Sequence, residues 1–300
     1  MRFREHYGFA MGRTTIGKVV SAHARRSEAF VQQRLDVARQ QFDQPLATRP
    51  GEKTMLVEMD GCEIRTGTLV PAVEASERTP KRNLPKKKRN EAWRDVRVGL
   101  ARPLHEVTPT YIAKMAPYPE VVHLLFGAAC LRGLTSRTKT AAVADGGNGL
   151  YEELCAQFPG LRFLLDRPHA KHHLYETAEA CGLDEPTRHR WVASHLVRLD
   201  RGEVEPVLHD LKAHRGRGKA RILRLHAYLT RFRDCFGYDS AKNDGLPIGS
   251  GEIESAHRTI PQKRMKLPGA WWHPDSINPM LALRTLRAND WWNDFWAAAA

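Results

Sequence analysis

Thr140-Ala-Ala-Val-Ala-Asp145-Gly146-Gly147 is a short apolar run that closes on an acid and a glycine pair. It reads as a buried strand whose last carboxylate sits at the C-terminal edge, where α/β sheets hold ligands. Residues 149–158 then carry apolar positions at helical spacing and stop at Pro159-Gly160. Leu161-Arg-Phe-Leu-Leu-Asp166 is a second apolar run ending on an acid, with His169 just beyond it. The stretch predicts a strand–helix–strand unit presenting two carboxylates and a histidine at one sheet edge.

Working outward, Thr54-Met-Leu-Val-Glu-Met-Asp60-Gly61 repeats the pattern of an apolar run closing on Asp-Gly. A hairpin is expected here, with Gly61 and Cys62 in its turn and residues 63–70 as the returning strand. Residues 78–94 are basic, polar and broken by proline, and include Lys81, Arg82, Lys86, Lys87, Lys88 and Arg89. Such a run cannot pack in a core, so it is expected as a loop, solvated or lying on phosphate. Residues 92–100 alternate and predict a third strand, and 119–134 a helix leading to the strand at Asp145.

Residues 1–48 read as helical, with a Gly-bearing turn and a Thr-capped helix from about Thr14. That is the outline of the second half of a helix-turn-helix, or else an arm packed on the main domain. Beyond Asp166, apolar residues recur at helical spacing over 171–181, 187–199, 204–214 and 221–236. Gly245-Leu-Pro-Ile-Gly-Ser-Gly251 is a loop, and Glu252 and Glu254 follow in the first turn of a helix, where its dipole favours acids. Trp271, Trp272, Trp291 and Trp292 are expected to pack against the domain, with stacking on an extruded base as the competing role. The divisions expected are a helical arm (1–50), the first part of the main domain (51–169), a helical insertion (170–245) and a glutamate helix with C-terminal helices (246–300).

The charge bounds the partners. Lys plus Arg number 47 against 34 Asp plus Glu, a net +13 with a pI near 9.8, which favours a polyanion and nucleic acid first. Mean hydropathy is −0.51 and no apolar stretch is long enough to span a bilayer. The five cysteines are scattered and never in C-x-x-C spacing, which argues against zinc ribbons and disulfides and for a reducing cytoplasm.

Hard dications such as Mg²⁺ take oxygen ligands, and a two-metal site for in-line phosphoryl displacement needs acids converging from separate elements. Asp60 and Asp145 at two strand ends and Glu254 on a late helix fit that need. Glu252 is a second candidate for the helix position. Asp166, His169, His172 and His173 also invite a zinc reading, which lacks an evident full ligand set.

Met59-Asp60-Gly61, Asp145-Gly146, Phe158-Pro159-Gly160 and Leu165-Asp166-Arg-Pro-His169-Ala-Lys-His-His-Leu174 carry a resemblance, together with Leu246-Pro-Ile-Gly-Ser-Gly-Glu-Ile-Glu254-Ser-Ala, Lys263-Arg-Met-Lys and Leu281-Ala-Leu-Arg284. Over 54–296 the chain resembles the DDE transposases of bacterial insertion sequences, closest to the Kra-type group and related to the Mutator-like transposases. The family commonly has Trp soon after its second Asp-Gly, where this chain has Gly147-Asn148-Gly149-Leu150, and the end-recognition region is short here. The resemblance implies an α/β, RNase H-like mixed sheet of about five strands with flanking helices and a helical insertion before the last acid. It implies Asp60, Asp145 and Glu254 as catalytic acids and ligands of two Mg²⁺ or Mn²⁺ ions, with Asp166 and His169 supporting them.

The implied reaction is cleavage at element ends and strand transfer of the freed 3′-hydroxyl into target DNA. The partners expected are terminal inverted repeats, target DNA and further copies of the chain, in a nucleoid-associated protein of the cytoplasm. DNA contacts fall to Lys81, Arg82, Lys86, Lys87, Lys88, Arg89, Lys263, Arg264 and Lys266. The alternatives are an RNase H-fold nuclease or resolvase that cuts without joining, and a decayed or domesticated DNA-binding protein without turnover.

Overall fold

The computed structural model describes residues 11–42, 51–71, 87–147 and 149–298. Its centre is a mixed sheet. Strands β1 (Thr54–Pro71) and β2 (Lys87–Pro103) pair antiparallel from Met55 opposite Pro103 to Pro71 opposite Lys87. Strand β3 (Thr110–Lys114) adds antiparallel to β2, while β4 (Lys139–Ala144) and β5 (Arg162–Leu165) run parallel to β1 and to each other. The order across the sheet is β3-β2-β1-β4-β5.

Period-two alternation divides β1 between two layers. Met55, Val57 and Met59 face one core together with helices α1 (Arg13–Gln40), α2 (Tyr118–Leu131) and α3 (Leu150–Gln157). Leu56, Glu58 and Asp60 face the other side. Helix α2 is apolar nearly all round because it lies between the sheet and α1, burying Val121, Val122, Leu125, Ala128 and Ala129. Gly127 is required in that layer: a Cβ there would come within 2.8 Å of the Leu35 carbonyl oxygen. Helix α1 answers with Ala24, Ser27, Val31, Leu35 and Ala38, a stripe at three- and four-residue spacing that seats it on α2 and on α11 (Ile277–Ala288).

Between β5 and the late acids the chain is helical: α4 (Arg167–Ala180), α5 (Glu185–Asp200), α6 (Val204–Ala213), α7 (Lys219–Arg231) and α8 (Tyr238–Asn243). Leu174, Leu199, Val207, Leu229 and Phe232 of this stretch join the core cluster of the α2 face. Helix α9 (Gly251–His257) passes through a π-helical turn (Arg258–Gln262) into α10 (Lys263–Met265), and α12 (Trp292–Ala297) closes the described chain. No helix among the described residues is long and apolar enough to cross a membrane.

Three expectations are corrected. β1 does not turn at Gly61-Cys62: the ladder continues through Asp60–Val98, Gly61–Arg97 and Cys62–Val96, and the buried Ile64, Val96 and Val98 hold it straight under α9. The basic stretch 78–94 is not one loop, since Lys87, Lys88 and Arg89 lie in β2, while 72–86 fall outside the described residues. Helix α1 begins at Arg13, within a residue of the expected start, but Gly12 precedes it and no side chain caps it, so the expected Thr cap is absent; the Gly-bearing turn expected before it lies largely outside the described residues. The first half of the helix-turn-helix outline, residues 1–10, also lies outside the described residues.

Candidate active site

Parallel pairing sets the site. Glu58 lies opposite Val143 across β1 and β4, so the next pair on the same face is Asp60 and Asp145. Both carboxylates thus stand at the C-terminal edge of β4, on the side of the sheet that carries Leu56 and Val143. Burial pushes the Asp60 carboxyl up; the nearby His257 and the Gly61 N–H, 2.7 Å from Oδ1, oppose the rise, and Asp145 adds to it by charge repulsion. Asp145 Oδ1 accepts the Gly147 N–H at 2.8 Å, and the Tyr228 hydroxyl donates to the Asp145 carbonyl at 3.2 Å. Gly146 between them has φ +74°, and a Cβ there would fall 2.4 Å from Phe232 Cζ, so only glycine turns the chain here.

The loop before α9 is fastened to β5. Asp166 caps α4, accepting the His169 N–H at 3.3 Å, and its other oxygen accepts the Ser250 hydroxyl. The Arg167 N–H reaches the Ile248 carbonyl at 3.0 Å, and Gly249 sits against Pro168, where a Cβ would lie 3.3 Å from Cγ. The Asp166-x-x-His169 and Gly-Ser-Gly blocks are therefore one joint. Beyond it, the Ile253 N–H donates to Glu58 Oε2 at 2.9 Å from the sheet below. Glu252 is taken by Arg102, whose Nε lies 2.9 Å from Oε2, which leaves Glu254 as the free acid of that turn.

Glu254 is exposed and lines a cleft of about 340 Å³ with Asp60, Gly61, Cys62, His257, Arg258 and Gln262. His257 is the residue the sequence reading missed. It is only 3 % exposed, its Nε2 lies 3.5 Å from Asp60 Oδ2, and neither ring nitrogen has a hydrogen-bond partner. Burial pushes the imidazole pKa down, opposed by the Asp60 charge. Its position three residues after Glu254, on the same helix face, was the available signal. Glu58, a buried carboxyl beneath the site, is pushed up to about 8, first by burial.

The fit to divalent ions is partial. Asp60 and Asp145 offer hard oxygens side by side, Glu254 overhangs the cleft, and His257 brings an orphaned nitrogen; this donor chemistry suits a dication. The three acids do not, however, bring ligand atoms within 4.8 Å of one another; among the described residues, Glu52, His105 and Glu106 do so. That cluster has Glu106 paired with Arg132 and stands near the start of β1, away from Asp60.

The zinc reading gains nothing from the geometry. The His169 and His173 rings are 4.9 Å apart, but His173 Nδ1 lies 3.2 Å from Glu176 and 3.3 Å from Arg221, and Asp166 is engaged by Ser250.

Of the basic candidates, Lys81, Arg82 and Lys86 lie outside the described residues. Lys88, Arg89, Lys263, Arg264 and Lys266 are exposed. Arg89 pairs with Glu91 and covers Trp271 at 4.6 Å, and Arg264 lies 5.0 Å from the Trp272 ring. Trp272 docks on β1, taking the Gly67 N–H at 2.8 Å, and Trp291 is buried. No protein-family model matches the chain, and no curated protein matches it.

Proposed function

We propose that this chain is a DDE-type DNA transposase on an RNase H-like catalytic core, cleaving DNA at element ends and joining the freed 3′-hydroxyl to target DNA. The observation that carries the reading is the parallel register that sets Asp60 beside Asp145, with Glu254 lining a cleft together with Asp60. Three antiparallel strands followed by two parallel ones, with acids on the adjacent β1 and β4, support the fold assignment. So does the joint between Asp166 and Ser250, which ties two blocks of the resemblance together in space.

Asp60, Asp145 and Glu254 would hold Mg²⁺ or Mn²⁺, which supply Lewis-acid stabilisation to the attacking and leaving oxygens of an in-line displacement. The protein itself keeps Glu252 out of the site through Arg102 and fixes the Asp145 carboxylate on the Gly147 N–H. Exposed Lys263, Arg264 and Lys266 beside the cleft would hold phosphates.

Asp60→Ala, Asp145→Ala and Glu254→Ala should each lower Mg²⁺- or Mn²⁺-dependent nicking of duplex DNA by about 10³-fold or more, with DNA affinity within about twofold of wild type. Cleavage by Asp60→Ala at the wild-type rate refutes the assignment. Joined product separates a transposase from a nuclease or resolvase on the same scaffold. A non-catalytic DNA-binding protein is the second reading, favoured by the failure of the three acids to close on one another; it predicts no Mn²⁺ binding at these residues.

A further inference from the structure

We infer that His257 is a nitrogen ligand of the cation held at Asp60, making the site one of mixed oxygen and nitrogen donors that takes first-row transition dications in preference to Mg²⁺. This rests on the reading of Asp60 as an ion ligand and adds to it a residue outside the three acids. The imidazole is nearly completely buried, yet both of its nitrogens lack a hydrogen-bond partner. Buried polar atoms without partners are rare and call for an explanation such as an ion.

The geometry supplies one. Nε2 stands 3.5 Å from Asp60 Oδ2, beyond ordinary hydrogen-bond length. Two donors bonded to one ion at about 2.1 Å each lie roughly 3.0–3.5 Å apart, depending on the angle at the ion. The cleft that opens on both residues has room for the ion and its waters, and Glu254 enters it from the same turn of α9. Around the ring stand the charged groups of Asp60, Glu254 and Lys266 and the Asp60 backbone carbonyl, none of them in hydrogen-bonding geometry with either nitrogen. A nitrogen donor raises affinity for transition ions relative to Mg²⁺, which prefers an all-oxygen shell.

The test uses the full chain loaded with Mn²⁺ and pulsed electron paramagnetic resonance. We expect nitrogen modulation of the bound Mn²⁺ signal that shifts on ¹⁵N-histidine labelling and disappears in His257→Asn. The same variant should weaken Mn²⁺ binding roughly tenfold or more, while Mg²⁺ binding changes by less than about twofold. His257→Gln serves as the second variant, and the wild-type spectrum stands whether or not either variant folds. Mn²⁺ that depends on Asp60 but shows no nitrogen modulation overturns the inference and leaves the acid site intact. So does modulation that persists in His257→Asn. Absence of Mn²⁺ binding in the wild type removes both the inference and the reading of Asp60 beneath it.

Discussion

At the scale of the residue, Glu58 has the clearest electrical consequence. It sits under α9 at 1 % exposure, one oxygen on the Ile253 N–H and the other without a partner. Burial lifts its pKa from 4.5 to about 8, so the folded chain holds a proton that the unfolded chain releases. Stability is therefore full below about pH 4.5 and falls as pH climbs towards 8, by up to roughly 3–5 kcal/mol. Glu58→Gln keeps an oxygen for Ile253 and removes the ionisation. Urea unfolding between pH 5 and 8 should show a falling midpoint in wild type and a nearly flat one in the variant; equal slopes contradict the account. An acid inside an apolar strand run carries no local sign of whether its face will be covered. The alternation itself was legible; which face α9 covers was not, because α9 arrives from far along the chain.

At the scale of the element, the joint between the start of α4 and the start of α9 decides where Glu254 can stand. Asp166 serves both sides of it, capping one helix and binding the hydroxyl that precedes the other. Its loss leaves a half-buried hydroxyl and a helix end unsatisfied. Asp166→Ala should cost about 1–3 kcal/mol in denaturant unfolding and lower cleavage more than DNA binding. Cleavage at the wild-type rate would mean that the joint does not position the glutamate.

Asp145 at the end of its strand, the helix after Gly149 and the series of helices beyond Asp166 were legible because their apolar spacing is local, whereas Asp60 lies inside β1 and not at its end. The turn expected at Gly61-Cys62 was a false signal. Asp-Gly is turn chemistry, but here Asp60 Oδ1 satisfies the Gly61 N–H while both residues remain in the ladder. Strand β3 carries no strong local sequence signal. It is five residues long and owes its place to pairing with β2 and to Asn278 and Asn289, whose side chains take the Met115 and Tyr111 N–H groups at 2.7 and 2.8 Å.

At the scale of the molecule, the long helix α1 belongs to the main core through Val31, Leu35 and Ala38. Of the two expectations for this segment, half of a helix-turn-helix or an arm packed on the main domain, its seat along α2 and α11 matches the packed arm. Leu35→Ala should cost about 2–5 kcal/mol, since Leu35 is 1 % exposed against Gly127; a loss below about 1 kcal/mol would mean α1 is not part of the cooperative unit.

On the proposed reading, a net charge of +13 would make DNA affinity strongly salt-dependent. Neutralising Lys263, Arg264 and Lys266 together should lower the slope of log affinity against log salt by about 2–3. An unchanged slope would move the interface elsewhere. Charge pointed to nucleic acid from composition alone, whereas the mixed sheet was legible only as an expectation of strand count, since pairing order depends on contacts remote in sequence.

Whether Asp60 and Asp145 jointly hold dications is decided by calorimetric titration of Mn²⁺ into the wild-type chain, Asp60→Ala and Asp145→Ala. Saturable binding is expected in the wild type, and its loss, or weakening of roughly a hundredfold, in each variant. Binding in both variants indistinguishable from wild type, or none in any of the three, would contradict joint binding by the two aspartates.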